Sequence, residues 1–266
     1  MRPKKSLSQN FLINEIATVR IVEALGLKKD DTVLEIGTGQ GALTKHLLDK
    51  AKKVYAVEID KRLCSYLKQR FGNKKNLKII NRDILKINFS GLIDPGSFCK
   101  VVGNLPYQIT SPVLSLLLKN KGFITLGVLM VQKEVALRIC AVPGSKDWSP
   151  FSIAIQLYSD VEILFHLKPT SFFPPPQVES SVIKMVLLSK PRVHVLDKEF
   201  FFKVVRSAFG QRRKMVLNSL AANLDLPKRE IEGILSKVGI DPRRRAETLS
   251  LNEFASLSSA MSEVLN

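Results

Sequence analysis

Leu34-Glu35-Ile36-Gly37-Thr38-Gly39-Gln40-Gly41-Ala42-Leu43-Thr44 decides the fold. It completes a β-branched run that begins at Thr32 and leads into a stretch of helical patterning over 42–50. A short branched run, a G-x-G-x-G cluster and a helical pattern read as strand, tight turn and helix. Working outward, branched runs recur at 53–59, 77–80 and 99–102, with a helical pattern over 61–71 and a less regular stretch from 84 to 98. Residues 14–26 carry Ile16, Val19, Val22 and Leu25 at near-helical spacing, with Gly26 as a stop. Such alternation predicts an α/β fold with a parallel sheet and helices on both faces.

Further along, 110–119, 132–140 and 150–158 read as helices, and 123–131, 160–167 and 178–188 as strands. Pro169 and Pro174-Pro-Pro176 exclude regular helix or central strand between the last two. Ser189-Lys-Pro191 marks a change of texture. Beyond it the patterning is helical, over 197–208, 212–223, 227–237 and 250–264. Two domains are expected, 1–189 and a small all-helical 190–266.

In an open parallel sheet, ligands bind outside the carboxyl ends of the strands. Gly37, Glu58, Asp83 and Asn104 stand at successive strand ends, 21, 25 and 21 residues apart, each the length of one strand–helix unit. Gly37 and Gly39 let backbone approach a ligand closely, because no Cβ intervenes. The spacing is not the G-x-G-x-x-G of dinucleotide folds. A carboxylate at Glu58 can accept from two ribose hydroxyls. Asp83 can accept from an adenine amine, or simply cap the turn before Ile84. Together they describe a nucleoside pocket.

Asn104-Leu105-Pro106-Tyr107 adds chemistry. The lone pair of adenine's amino group is delocalised into the ring, so the nitrogen is a poor nucleophile. The Asn104 side-chain oxygen and the Leu105 carbonyl can accept its two hydrogens and favour a pyramidal nitrogen. Pro106 fixes the turn, so the carbonyl is aimed in advance. Tyr107 can stack on an extruded base. Phe172-Phe173 before the triple proline offers a second aromatic wall, with one of the two rings expected in the core.

Composition narrows the partner. Lys plus Arg number 41 against 24 Asp plus Glu, a net charge of +17. That exceeds the roughly 2–8 units that solubility needs in a small domain, and points to an anionic partner. Arg206, Arg212-Arg213-Lys214 and Arg243-Arg244-Arg245 are the clusters expected to touch phosphates, although a charged helix face can also be merely solvated. Cys64, Cys99 and Cys140 are scattered, as are the three histidines, so neither a disulfide framework nor a metal site is expected. No apolar run reaches the ~18–20 residues of a membrane span, and the start lacks the apolar core of a secretion signal. A reducing cytoplasm fits.

The sequence resembles the small-subunit (16S) ribosomal RNA adenine N6,N6-dimethyltransferase family almost end to end. The resemblance rests on Gln9-Asn-Phe-Leu12, Leu34–Thr44, Ala56-Val-Glu-Ile-Asp60, Gly103-Asn-Leu-Pro-Tyr107, Phe172–Ser181, Gln211-Arg-Arg-Lys214 and Ile240–Thr248. It implies a class I, Rossmann-like methyltransferase fold with a small helical C-terminal domain. S-adenosylmethionine would be held by Asn10, Leu12, Gly37, Glu58, Asp83 and Asn104, leaving S-adenosylhomocysteine as product, with no metal. The target base would lie between Tyr107 and Phe172. The implied substrate is two adjacent adenines in the 3′-terminal hairpin of 16S RNA, within a pre-30S small subunit. Nothing in the sequence suggests an obligate dimer, so a monomer is expected. Thr38, Gln40, Gln177 and Glu179 depart from the family's usual residues. Two other readings remain: a 23S ribosomal RNA adenine methyltransferase of the antibiotic-resistance type, and a non-catalytic RNA-binding assembly factor.

Overall fold

A computed structural model describes residues 2–4, 7–94, 96–211 and 213–265. Two compact units emerge. The first comprises the chain up to Ala136 together with Ser159–Ser189; the second comprises Leu137–Tyr158 and the chain from Lys190 onward.

In the first unit, β2 (Thr32–Ile36), β3 (Lys53–Glu58), β4 (Leu77–Asn81), β5 (Cys99–Asn104), β6 (Ile124–Gln132), β7 (Ser159–Leu167) and β9 (Ser180–Leu187) form one sheet. Its order is β4-β3-β2-β5-β6-β9-β7. The five strands from β4 to β6 pair in parallel; α2 (Thr44–Lys50), α3 (Lys61–Phe71) and α4 (Thr110–Lys119) make three of the connections, and two short 3-10 turns, Ile84–Lys86 and Phe89–Gly91, lie on the path from β4 to β5. The last two pairings, β6 with β9 and β7 with β9, are antiparallel. The sheet is therefore mixed, where strand–helix alternation alone predicted a parallel one. The reason lies in the connections: the prolines between β7 and β9 supply no crossover helix. β2 and β5 lie at the centre, and Val33, Leu34, Val101 and Val102 are wholly buried there.

A second, two-stranded sheet joins β1 (Phe11–Leu12) to β8 (Phe172–Phe173), with Phe11 opposite Phe173 and Leu12 opposite Phe172. It clips the segment before α1 (Glu15–Ala24) to the proline-rich segment, reinforced by Ile13 N–H donating to Ser171 O at 2.9 Å.

The second unit contains α6 (Pro150–Gln156), α7 (Lys198–Phe209), α8 (Val216–Asn223), α9 (Lys228–Lys237) and α10 (Leu251–Leu265). The remaining helix, α5 (Lys133–Ile139), spans the boundary at Ala136. Residues 137–158 group with the helices rather than with the sheet. Buried Trp148 donates its indole N–H to Leu249 O at 2.9 Å, and Gly144 N–H donates to Glu247 O at 2.7 Å. No helix among the described residues is long and apolar enough to cross a membrane.

Candidate active site

The parallel strands end together, so the turns that follow them share one edge. They line a cavity of about 380 Å³, within the range of small-molecule sites. Asn10, Leu12, Gly37, Gly39, Glu58, Asp83, Asn104, Leu105, Pro106 and Tyr107 all border it. The glycine turn and the Asn-Leu-Pro-Tyr turn are in direct proximity: a Cβ on Gly37 would lie 3.5 Å from Asn104 O. Gly37 and Gly39 adopt φ of 69° and 54°, which L side chains rarely occupy.

Glu58 ends β3 and is 5% exposed. Gly39 N–H donates to its Oε2 at 3.1 Å and Asp60 N–H to its Oε1 at 2.9 Å, with the Thr38 hydroxyl at 3.4 Å from Oε2. Burial raises its pKa, and the two backbone donors counter part of that rise. Asp83 caps the turn that follows it, its Oδ1 accepting from Leu85 N–H at 3.0 Å, so the capping reading holds while the residue still borders the cavity.

Asn104 ends β5. Its Nδ2 donates to Asn10 O at 2.8 Å, which fixes the amide with Oδ1 as the remaining acceptor. Leu105 N–H donates to Met130 O at 3.1 Å, tying the turn to β6. The Tyr107 hydroxyl lies 2.9 Å from Ser180 Oγ, and burial raises its pKa.

Phe172 does not stand where it was expected. It is 3% exposed and packs in the core with Leu12, Leu167 and Val182, while Phe173 is 56% exposed and borders the cavity. Successive strand residues face opposite ways, and the register with Phe11 and Leu12 selects which ring points out.

Three participants escaped the sequence reading. Glu35 borders the cavity at 1% exposure; its Oε2 accepts from the Thr44 hydroxyl at 2.7 Å, and its Oε1 has no partner. Burial, helped by the nearby Glu58 charge, pushes its pKa up to about 8. Asp60 is buried and anchors the N-terminal segment by accepting from Gln9 Nε2 at 3.2 Å. Hydrogen bonds, chiefly from Arg62, hold its carboxyl far below the usual range. Ile59, 53% exposed, supplies an apolar border. The acids at 58 and 60 belong to one recognisable run, Ala56–Asp60. Glu35 looked like an ordinary residue inside a strand.

The basic residues lie in the second unit. Arg206, Arg213, Lys214, Arg243 and Arg245 are exposed; Arg212 lies outside the described residues. Arg243 is paired with Asp241 at 3.1 Å. Arg244 is committed internally: it pairs with Glu253 and donates from Nη2 to Thr248 O at 2.7 Å, so its guanidinium braces the fold rather than facing a phosphate. Among the described residues no group of three or more His, Cys, Asp or Glu is arranged to hold a metal ion.

The family model described as Ribosomal RNA adenine dimethylase matches residues 1–263. The ribosomal RNA small subunit methyltransferase A of Bacillus cytotoxicus (strain DSM 22905 / CIP 110041 / 391-98 / NVH 391-98) is 47% identical over 265 residues, 97% of this chain and 91% of that protein. That of Clostridium botulinum (strain Loch Maree / Type A3) is 43% identical over 261 residues, 98% of this chain and 94% of that protein. Among solved structures, a dimethyladenosine transferase from Plasmodium falciparum matches with a TM-score of 0.80 at 28% identity, covering 95% of this chain and 98% of that one. The 23S rRNA methyltransferase ErmE matches with a TM-score of 0.75 at 25% identity, covering 95% and 100%. The chain belongs to the ribosomal RNA adenine dimethylase family, with the class I methyltransferase fold of that family.

Proposed function

We propose that this chain transfers methyl groups from S-adenosylmethionine to N6 of two adjacent adenines in the 3′-terminal hairpin of 16S ribosomal RNA. The products are N6,N6-dimethyladenosine and S-adenosylhomocysteine. The chain would act as a cytoplasmic monomer, without a metal, on a pre-30S particle late in assembly. One observation carries the reading: a nucleoside-sized cavity whose rim is completed by Asn104, with its amide nitrogen already spent on Asn10 O and its oxygen left to accept.

The donor fits the residues present. Glu58 offers a fixed carboxylate for ribose hydroxyls, Asp83 an acceptor near an adenine amine, and the glycine turn a surface without Cβ atoms. When bound, the donor supplies a sulfonium methyl carbon whose sulfur leaves as a neutral thioether. The chain's own residues then hold the nucleophile. Asn104 Oδ1 and the Leu105 carbonyl accept the two N6 hydrogens, so the nitrogen's electron pair turns toward the methyl carbon. As the N–C bond forms, the surplus N6 proton leaves to water. Preformed acceptors lower the barrier because they need no reorganisation during the reaction. Tyr107 walls the base on one side, and Phe173, rather than Phe172, supplies the exposed ring for the other. Arg206, Arg213, Lys214 and Arg245 provide phosphate contacts that add affinity without reading sequence, with Arg212 and Arg243 as further candidates.

The test is labelled-methyl incorporation by the purified chain into small subunits that lack dimethyladenosine, with 23S-containing large subunits in parallel. Two dimethyladenosines in the 3′ hairpin of 16S RNA support the reading. Labelling of 23S RNA instead moves the chain to the resistance type, and donor binding with no transfer to either particle makes it a binding factor.

A further inference from the structure

Three successive residues, Glu179 just before β9 and Ser180 and Ser181 at its start, hold three separate parts of the first unit. Glu179 Oε2 accepts from Lys133 Nζ at 2.7 Å. Ser180 Oγ shares a hydrogen bond with the Tyr107 hydroxyl at 2.9 Å. Ser181 Oγ lies 2.7 Å from His166 Nδ1.

The middle contact differs from its neighbours in what it controls. β9 runs between β6 and β7, and Ser180 is in register with Gln132 on one side and Leu167 on the other. It is fully buried. Its hydroxyl is thus mounted on an interior strand that cannot shift without breaking two ladders. Tyr107, by contrast, sits in a turn and borders the open cavity. Its backbone is set by Pro106 and by the Leu105 N–H to Met130 O bond. A tyrosine ring attached only at its backbone still swings about χ1 and χ2. Tying the hydroxyl to Ser180 removes that freedom, because the ring is then held at both ends.

We infer that Ser180 is a positioning residue for methyl transfer, holding the Tyr107 ring in the plane against which the target adenine stacks. Ser180 touches neither base nor donor; it acts through Tyr107. The inference rests on the reading of Tyr107 as a wall of the base site. It explains why a buried serine reaches the hydroxyl of a ring that borders the cavity: a ring that must find its plane only after the base arrives loses orientation entropy at the moment of reaction, whereas a ring already clamped does not.

The experiment measures single-turnover transfer to undermodified small subunits by Ser180→Ala, Tyr107→Phe and the double variant, alongside donor affinity and thermal midpoint. Tyr107→Phe keeps the ring and deletes only the hydroxyl, so it reports on the contact even where Ser180→Ala folds poorly. Each single variant is expected to slow transfer about 3- to 10-fold, the size of one lost hydrogen bond. Donor affinity should not move. The double variant should be no slower than either single one, because both break the same bond. A parental rate in Ser180→Ala or in Tyr107→Phe overturns the inference, as do losses that multiply in the double variant or a loss that follows donor affinity. Tyr107→Ala separates the two levels. If it transfers at the parental rate, the reading of the base site fails and Ser180's role with it. If it is slow while Tyr107→Phe and Ser180→Ala are normal, only the Ser180 inference fails.

Discussion

The two units handle charge in opposite ways. The first buries acids at its strand ends, with Glu35, Glu58 and Asp60 all nearly inaccessible. The second leaves cations on its surface, with Arg206, Arg213, Lys214 and Arg245 exposed. Burying a carboxylate is unfavourable unless hydrogen bonds or a ligand compensate, so each buried acid marks a place the fold has set aside. An exposed cation is nearly free and interacts mainly through its field. The pocket is therefore specified residue by residue, and the basic surface only collectively.

Glu35 gives the largest expected departure. Its pKa, raised from 4.5 to about 8, means the folded chain holds a proton that the unfolded chain has already lost between those values. Stability should thus fall as pH rises from 4.5 to 8, with the full penalty present above 8 and none below 4.5. Glu35→Gln removes the penalty. At about 1.4 kcal/mol per pKa unit, the variant should be more stable than the parent by on the order of 3–5 kcal/mol at pH 9, the gain vanishing toward pH 4.5. Denaturant unfolding across pH measures this, and a gain independent of pH would mean Glu35 ionises normally.

The two adjacent phenylalanines come next. Phe172→Ala should lose about 3–5 kcal/mol of unfolding free energy, as large core rings do. Phe173→Ala should leave the midpoint nearly unchanged and weaken transfer by the equivalent of about 1–3 kcal/mol, the range of base–aromatic stacking. Interchanged effects would return the base wall to Phe172.

Within the second unit the arginines should divide. Arg244→Ala should cost about 1–3 kcal/mol of stability through its lost bonds to Glu253 and Thr248, and leave the salt dependence of RNA binding unaltered. Neutralising Arg213 and Lys214 together should do the reverse, reducing the slope of log affinity against log salt by up to about 2, with stability within about 0.5 kcal/mol. A slope that responds to Arg244 alone would contradict the division.

These contrasts follow what was legible in the sequence. α3 was legible to the residue from its helical pattern over 61–71, and in the structure Asp60 caps its start and Gly72 follows its end. The cavity was legible because glycines and acids recur at the period of a strand–helix unit, which topology converts into one shared edge. The β1–β8 ladder was not, since two residues carry no periodicity. Phe172 and Phe173 could not be told apart for the same reason: which ring faces out depends on register with Phe11, 162 positions away in the chain. The linear division at 190 could not reveal that Trp148 bonds to Leu249. Arg244 read like its neighbours until Glu253, nine residues on, was seen beside it. Spacing along the chain reports a site built from successive units, whereas contacts made by chain return are invisible to it.

The account turns on a division of labour at one rim, in which Glu58 grips the donor and Asn104 presents the base. Calorimetric titration of S-adenosylmethionine into Glu58→Ala and Asn104→Ala, each paired with its transfer rate, tests this most directly. The account predicts that Glu58→Ala loses about tenfold or more in donor affinity, while Asn104→Ala keeps most of its donor affinity and loses about 100-fold or more in transfer. Donor affinity that survives in Glu58→Ala, or collapses in Asn104→Ala, would contradict it.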